Sequence, residues 1–242
     1  ALLSSMTSPY VIKKTSEYLS AQEYCESVEI KYRKHQQILQ NIEISEDHSP
    51  LISLKDSGFN LIYEPSVQEN YQYLVREAVH EKIGRISKKL EKQDKLLIIR
   101  SVWRSIAHQR LLWEEKVDFM QKAHPDLELE EIKENVSYFI APPTKSLHAT
   151  GGAVDALIFD VKNNYVMDFG TNDGLNIDLN DKCYPYHPFI SSRAKRNREL
   201  LINLFEEEDF VVDLKEYWHF DYGNSGWAIE KGKDHSIYGV IA

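Results

Sequence analysis

The stretch Ser146-Leu147-His148-Ala149-Thr150-Gly151-Gly152-Ala153-Val154-Asp155-Ala156-Leu157-Ile158-Phe159-Asp160 decides how this chain is read. Its second half, Ala153 to Asp160, reads as a strand. The strand is entered from a glycine pair, Gly151 and Gly152, which permits a tight backbone turn. Such a turn lets His148 and Asp155 converge on one point.

Outward from this stretch, helices and strands alternate without a regular rhythm. Leu96 to Val102 is a short apolar run rich in isoleucine and reads as a buried strand. Ser105 can cap a helix running through Ala123, with Pro125 beyond its end. Glu128 to Tyr138 reads as a shorter helix, and Ala141-Pro142-Pro143-Thr144 as an extended loop. Upstream, Ser66 with Glu69 three residues on is a capping-box signature. It predicts a helix whose apolar stripe is Tyr71, Leu74, Val75, Ala78, Val79, Ile83, Ile86 and Leu90. Lys88, Lys89 and Lys92 sit near its C-terminal end, where the dipole favours cations. Downstream, Ser192 to Glu207 is a helix with Leu200, Leu201, Leu204 and Phe205 inward, and Phe210 to Val212 and Tyr217 to Tyr222 are strands. The polar run from about Thr15 to Ile44 reads as an N-terminal helical segment. With no βαβ rhythm and no internal repeat, the fold class is α+β.

Composition bounds the function. The 242 residues are 42% hydrophobic and 28% charged, ordinary values for a globular chain with one sizeable core. Lys+Arg 29 against Asp+Glu 38 leaves a net charge of −9, which argues against nucleic-acid binding through phosphate neutralisation. No run approaches the roughly 18 apolar residues that span a bilayer. The opening ALLSSMTSPY has neither a basic n-region nor a long apolar h-region, so it does not read as an intact signal peptide. A cytoplasmic or periplasmic location is expected, the second after removal of a leader. Cys25 and Cys183 have no metal-ligand spacing and do not fix the redox compartment. The sequence carries no signal for oligomeric state.

The chemistry rests on two segments. Glu216-Tyr217-Trp218-His219 adds a second histidine, with a carboxylate three residues before it. His148, Asp155 and His219 are then three ligands of the kinds a catalytic zinc takes, leaving a fourth position open. Zinc would lower the pKa of its water, and Glu216 would accept the proton and pass it to the leaving amine. In an ideal strand, residues 216 and 219 face opposite ways, so Glu216 has to precede the strand or sit at a bulge. Two histidines and one carboxylate also describe the facial triad of non-haem iron oxygenases, a reading that gives Glu216 no role. A catalytically silent binding protein is a third possibility, opposed by the intact set of metal and proton-transfer positions.

These segments resemble the D-alanyl-D-alanine dipeptidases, the VanX-like branch of zinc peptidases that also include D-alanyl-D-alanine carboxypeptidases. The hallmark SxHxxGxAxD followed by ExWH is met by SLHATGGAVD and EYWH. The longer segments FIAPPTKSLHATGGAVD, WRSIAHQRLLWE and NRELLINLF with EYWHFDYGNSGWA are similar as well, over roughly Leu51 to Ala228. The resemblance implies a central, mainly antiparallel sheet flanked by helices. Residues 51–242 would form the catalytic domain and residues 1–50 an N-terminal helical extension. It also implies one Zn2+ per chain on His148, Asp155 and His219, with Glu216 as general base and acid. Arg104 matches an arginine that polarises the scissile carbonyl and stabilises the oxyanion. Ser146 and Asp168 match positions near the substrate's ammonium. The expected substrate is D-Ala-D-Ala or a related small D-amino-acid dipeptide. The alternative is carboxypeptidase action on D,D- or L,D-ended peptidoglycan stem peptides. Tyr217 stands where the carboxypeptidase branch usually has Pro, which favours the dipeptidase branch. Trp103-Arg104-Ser105 in place of Tyr-Arg-Pro, Asp209-Phe210 in place of Gly-Phe, and the segment 172–191 depart from the family pattern.

Overall fold

The computed structural model describes residues 20–39, 41–66, 68, 70–137 and 140–241. In chain order the elements are α1 (Ala21–Leu39), β1 (Glu43–Ile44), β2 (Leu51–Ser53), β3 (Leu61–Tyr63), β4 (Leu74–Arg76), α2 (Glu77–Glu91) and β5 (Lys95–Ser101). They continue with α3 (Ile106–Ala123), α4 (Leu129–Ser137), β6 (Ala153–Asp160), β7 (Tyr165–Val166), β8 (Asn172–Asp173) and β9 (Asn176–Ile177). The chain closes with α5 (Ser192–Glu206), β10 (Val211–Val212), β11 (His219–Asp221), α6 (Ser225–Glu230) and β12 (His235–Ser236).

The central sheet runs β10-β11-β6-β5-β3, with β7 also paired to β6. Only β3 runs parallel to its neighbour, so the sheet is mainly antiparallel and the fold is α+β. β6 is its middle strand, buried at six successive residues from Ala153 to Ile158, all apolar except Asp155. α2 buries Val79, Ile83, Ile86 and Leu90 in this core, and α5 buries Leu201, Ile202 and Phe205. Each such side chain contributes roughly 1.5–3 kcal/mol through its removal from water. Among the described residues no helix is long and apolar enough to cross a membrane.

Several expected boundaries move. The helix predicted from Ser66 starts at Glu77, and Leu74–Arg76 is instead a strand paired with Leu51–Ser53. Ser66 Oγ accepts the Gln68 N–H in a local turn, while Glu69 lies outside the described residues. The apolar spacing from Tyr71 to Val75 also suits alternation with Tyr73 and Val75 buried, and long-range pairing decides between the two periods. Ser105 caps α3 as predicted, its side chain accepting from the His108 N–H. The strand predicted over Tyr217 to Tyr222 is shorter, His219–Asp221, because Glu216 to Trp218 form a turn closed by His219 N–H to Glu216 O at 3.1 Å. Of the predicted N-terminal segment, Ala21–Leu39 is helix, Glu43–Ile44 is strand, and residues 15–19 lie outside the described part.

Candidate metal centre and active-site cleft

Strand register brings the candidate ligands together. His219 on β11 faces Asp155 on β6, and Asp155 also pairs with Ser101, at the end of β5 beyond an irregularity after Ile99. His148 comes from the short 3-10 turn Leu147–Thr150, which Gly151 ends with φ +75°. A Cβ on Gly152 would lie 2.2 Å from the Tyr222 carbonyl oxygen, so this turn can approach β11 only as glycine.

The three side chains are buried, and one donor atom from each lies within 4.8 Å of the others. His148 Nε2 is 3.3 Å from Asp155 Oδ2, and His219 Nδ1 is 2.9 Å from Asp155 Oδ1. Two ligands each about 2.0–2.1 Å from a tetrahedral zinc would stand about 3.4 Å apart, so the set has nearly that spacing. The outer nitrogens are engaged as well. His148 Nδ1 donates to the Val102 carbonyl at 2.8 Å, and His219 Nε2 donates to Asp221 Oδ1 at 3.2 Å. Asp221 is itself fixed by Asn224 Nδ2 at 2.6 Å. With the outer nitrogens protonated, the inner lone pairs of both neutral imidazoles aim at the common point. The residues fit a divalent cation.

The charge balance agrees. Burial opposes ionisation of Asp155, but His148 and His219 outweigh it and hold the carboxyl well below its usual range. Burial also opposes a charged His219, yet Asp221 and Asp155 raise its proton affinity well above that of an ordinary imidazole. His148 is shifted the other way, by burial and the Arg104 charge. A cation binding here would therefore compete with a proton on His219.

Around this centre a cleft of about 1090 Å³ opens, lined by Arg104, Ser146, His148, Asp155, Glu216 and His219 among others. Glu216 lies in the turn before β11, as the strand geometry required, with Oε2 4.0 Å from His219 Nδ1. Burial, then the neighbouring Asp213, pushes its carboxyl up to about 8, although part of the side chain still faces the cleft. Arg104 Nη2 is 3.2 Å from Asp155 Oδ2, and its Nε donates to Ser101 Oγ at 2.8 Å. Ser146 is buried at the cleft wall. Asp168 differs from expectation. Its carboxylate accepts the Gly170 N–H at 2.8 Å in a local turn, and it is not among the cleft-lining residues.

Two residues escaped the sequence reading. Asp213 Oδ1 accepts the N–H groups of Lys215 and Glu216, at 2.7 and 3.1 Å, and so shapes the turn carrying Glu216. Asp221 orients His219. Its signal was available, since residues 219 and 221 share a face of one strand. Cys25, Asp181 and His187 also gather donor atoms within 4.8 Å. There, however, Phe189 N–H donates to His187 Nδ1, so the proton sits on Nε2 and no lone pair faces the group.

Residues 72–225, more than half of the chain, match the family model described as "VanY: D-alanyl-D-alanine carboxypeptidase". The D-alanyl-D-alanine dipeptidase of Escherichia coli (strain K12) is 28% identical over 125 residues, 52% of this chain and 54% of that protein. The match thus spans about half the length of that curated relative. Among solved structures, a vancomycin-resistance D,D-pentapeptidase VanY variant from a VanB-type cassette, in complex with Zn(II), gives a TM-score of 0.46 at 16% identity. That alignment covers 80% of this chain and 89% of the other. VanYB in complex with D-alanine-D-alanine gives 0.42 at 15% identity, covering 72% and 92%. On the family match, the chain belongs to the VanY family of D-alanyl-D-alanine carboxypeptidases.

Proposed function

We propose that this chain is a zinc-dependent dipeptidase that hydrolyses D-alanyl-D-alanine or a closely related small dipeptide. The supporting observation is the convergence of His148, Asp155 and His219 at the floor of a cleft, with Glu216 immediately beside His219. Zinc, when bound by these three residues, supplies Lewis acidity that polarises a carbonyl and brings the pKa of water near 7.

The remaining work falls to the chain's own groups. Glu216 takes a proton from the attacking water and returns it to the departing amine, which needs a carboxyl able to hold a proton near neutral pH. Arg104, pinned by Ser101 and Asp155, offers a fixed guanidinium where negative charge develops on the carbonyl oxygen. Ser146, at the cleft wall, meets the substrate's ammonium. Asp168 is left out of the substrate site because its carboxylate caps a turn. Membership in a hydrolase family leaves the oxygenase reading without support.

Tyr217 in the EYWH motif and the curated dipeptidase relative support the dipeptide substrate. A second reading, carboxypeptidase action on longer stem peptides, is favoured by the cleft. At about 1090 Å³ it slightly exceeds the roughly 300–1,000 Å³ of a typical small-molecule pocket, more space than one dipeptide fills. Mass-spectrometric assay of D,D-, L,D- and L,L-dipeptides beside D-Ala-D-Ala-terminated pentapeptides separates the two. Turnover of D-Ala-D-Ala itself is expected, whereas cleavage confined to the longer peptides assigns the carboxypeptidase reaction instead.

Asp221 gives a test of the metal centre that does not depend on turnover. Asp221→Ala removes the acceptor that holds the His219 tautomer, and loss of such an outer-shell partner typically weakens metal binding about 10–100-fold. Competition with a chromophoric chelator measures this. An unchanged affinity removes Asp221 from metal-site orientation.

A further inference from the structure

The N-terminal helix α1 precedes the region matched to the family, which begins at residue 72. It is nevertheless seated on the segment that carries Glu216. Tyr24 and Val28 on one face of α1 are fully buried, and they form a small core with Leu214, flanked by Tyr32 and Tyr184. Directly after Val28, Glu29 Oε1 pairs with Lys215 Nζ at 2.8 Å and accepts the Tyr184 hydroxyl at 2.6 Å. Lys215 Nζ also lies 3.9 Å from the centre of the Tyr32 ring. Burial opposes charging of Glu29, but hydrogen bonds from Lys215 and Tyr184 outweigh it and lower its carboxyl below the usual value. Lys215 is the residue before Glu216, and the N–H groups of both are held by Asp213 Oδ1. Tyr32, Arg33 and Gln36 continue along α1 as part of the cleft wall.

We infer that α1 completes the active site, with Glu29 as a positioning residue that fixes the Glu216 turn through Lys215. The inference rests on the reading of Glu216 as the proton carrier. Leu214 and Lys215 are each tied to α1, one by apolar burial and the other by an ion pair. The two residues leading into Glu216 are therefore clamped to an element from outside the family core. Without Glu29, the Lys215 ammonium, only about a tenth exposed, loses the carboxylate that pairs with it across to α1. The turn that carries Glu216 then loses one of its ties to α1. Displacement of a catalytic group by about 1 Å can cost up to 10²-fold in rate.

The test uses the full chain, loaded with zinc and supplied with the peptide that the substrate panel identifies. Glu29→Gln is expected to lower kcat about tenfold with KM within about twofold, because the turn is misplaced while the binding surface stays. Lys215→Met should match it. The double variant should be no worse than either single one, because residues acting as one unit are non-additive. Glu29→Asp should recover part of the loss. Unfolding temperature and zinc content, measured on the same samples, exclude loss of fold as the cause. Glu29 is partly exposed on a helix, so its variants remain interpretable if Lys215→Met does not fold. A kcat for Glu29→Gln within twofold of the parent overturns the inference, as does additivity of the two single losses. Glu216→Gln separates the two levels. If it is inactive while Glu29→Gln is parent-like, only the positioning role fails. If it is fully active, the underlying mechanism fails.

Discussion

Glu216→Gln is expected to lower kcat by about 10³-fold, roughly 4 kcal/mol of transition-state stabilisation, while zinc content stays at the parent level. Glutamine keeps the volume and one acceptor oxygen of the side chain but cannot carry a proton between water and a departing amine. Nothing that holds the turn is touched, since the backbone N–H of residue 216 still reaches Asp213 and its carbonyl still accepts from His219. The loss should therefore appear in kcat, with little change in KM or unfolding temperature. In the metal-free chain, burial and Asp213 push the Glu216 carboxyl up to about 8. A divalent cation on the three ligands acts in the opposite direction by favouring the carboxylate. Zinc loading should thus extend the ionised form of Glu216 to lower pH, the form needed to accept a proton. A loss below tenfold in kcat, measured by single-turnover kinetics on zinc-loaded protein, removes Glu216 from proton transfer.

The convergence of His148, Asp155 and His219 was legible in part because its signals are local. His148, the glycine pair and Asp155 lie within eight residues, and the turn that unites them needs glycine at 151 for its positive φ and at 152 for its contact with Tyr222. The position of Glu216 followed from strand alternation alone, because residues 216 and 219 cannot share a face unless the strand starts after 216. What escaped depends on distant pairing. The segment Tyr71–Arg76 carries a spacing compatible with either helix or strand, and its partner at Leu51–Ser53 decides. Asp168 matched a substrate position by motif, but its own loop holds the carboxylate, which bonds the backbone N–H two residues on as aspartate commonly does in turns. The seat of α1 was also invisible. Glu29 and Lys215 are far apart in sequence, and nothing in the polar pattern of α1 names its partner. Local periodicity reports which face is apolar, not what covers it.

Arg104 carries the other large expected effect, and its surroundings set the sign of each outcome. It follows the end of β5, where pairing with β6 shifts after Ile99, and its own N–H donates to the His148 carbonyl at 3.3 Å. The side chain is then held at three points: Ser101 Oγ at 2.8 Å, Asp155 Oδ2 at 3.2 Å and Gln109 Oε1 at 3.3 Å. Its neighbour Arg100 is committed elsewhere, to Glu64 at 2.5 Å, and cannot replace it. Two roles for Arg104 predict different results. As a structural partner of Asp155 alone, its removal would free a carboxylate oxygen and withdraw a positive charge from the metal centre. Zinc affinity would then hold or rise, and kcat would change little. As the stabiliser of developing negative charge, its removal should lower kcat by about 10²–10³-fold with a smaller change in KM. Arg104→Ala is expected to give the second pattern, with zinc affinity held or raised. Arg104→Lys should recover only a small part of the rate, because an ammonium keeps the charge but cannot hold Ser101, Gln109 and Asp155 together in one plane. A parent-like kcat in Arg104→Ala, with zinc bound stoichiometrically, would leave the arginine as a partner of Asp155 and nothing more.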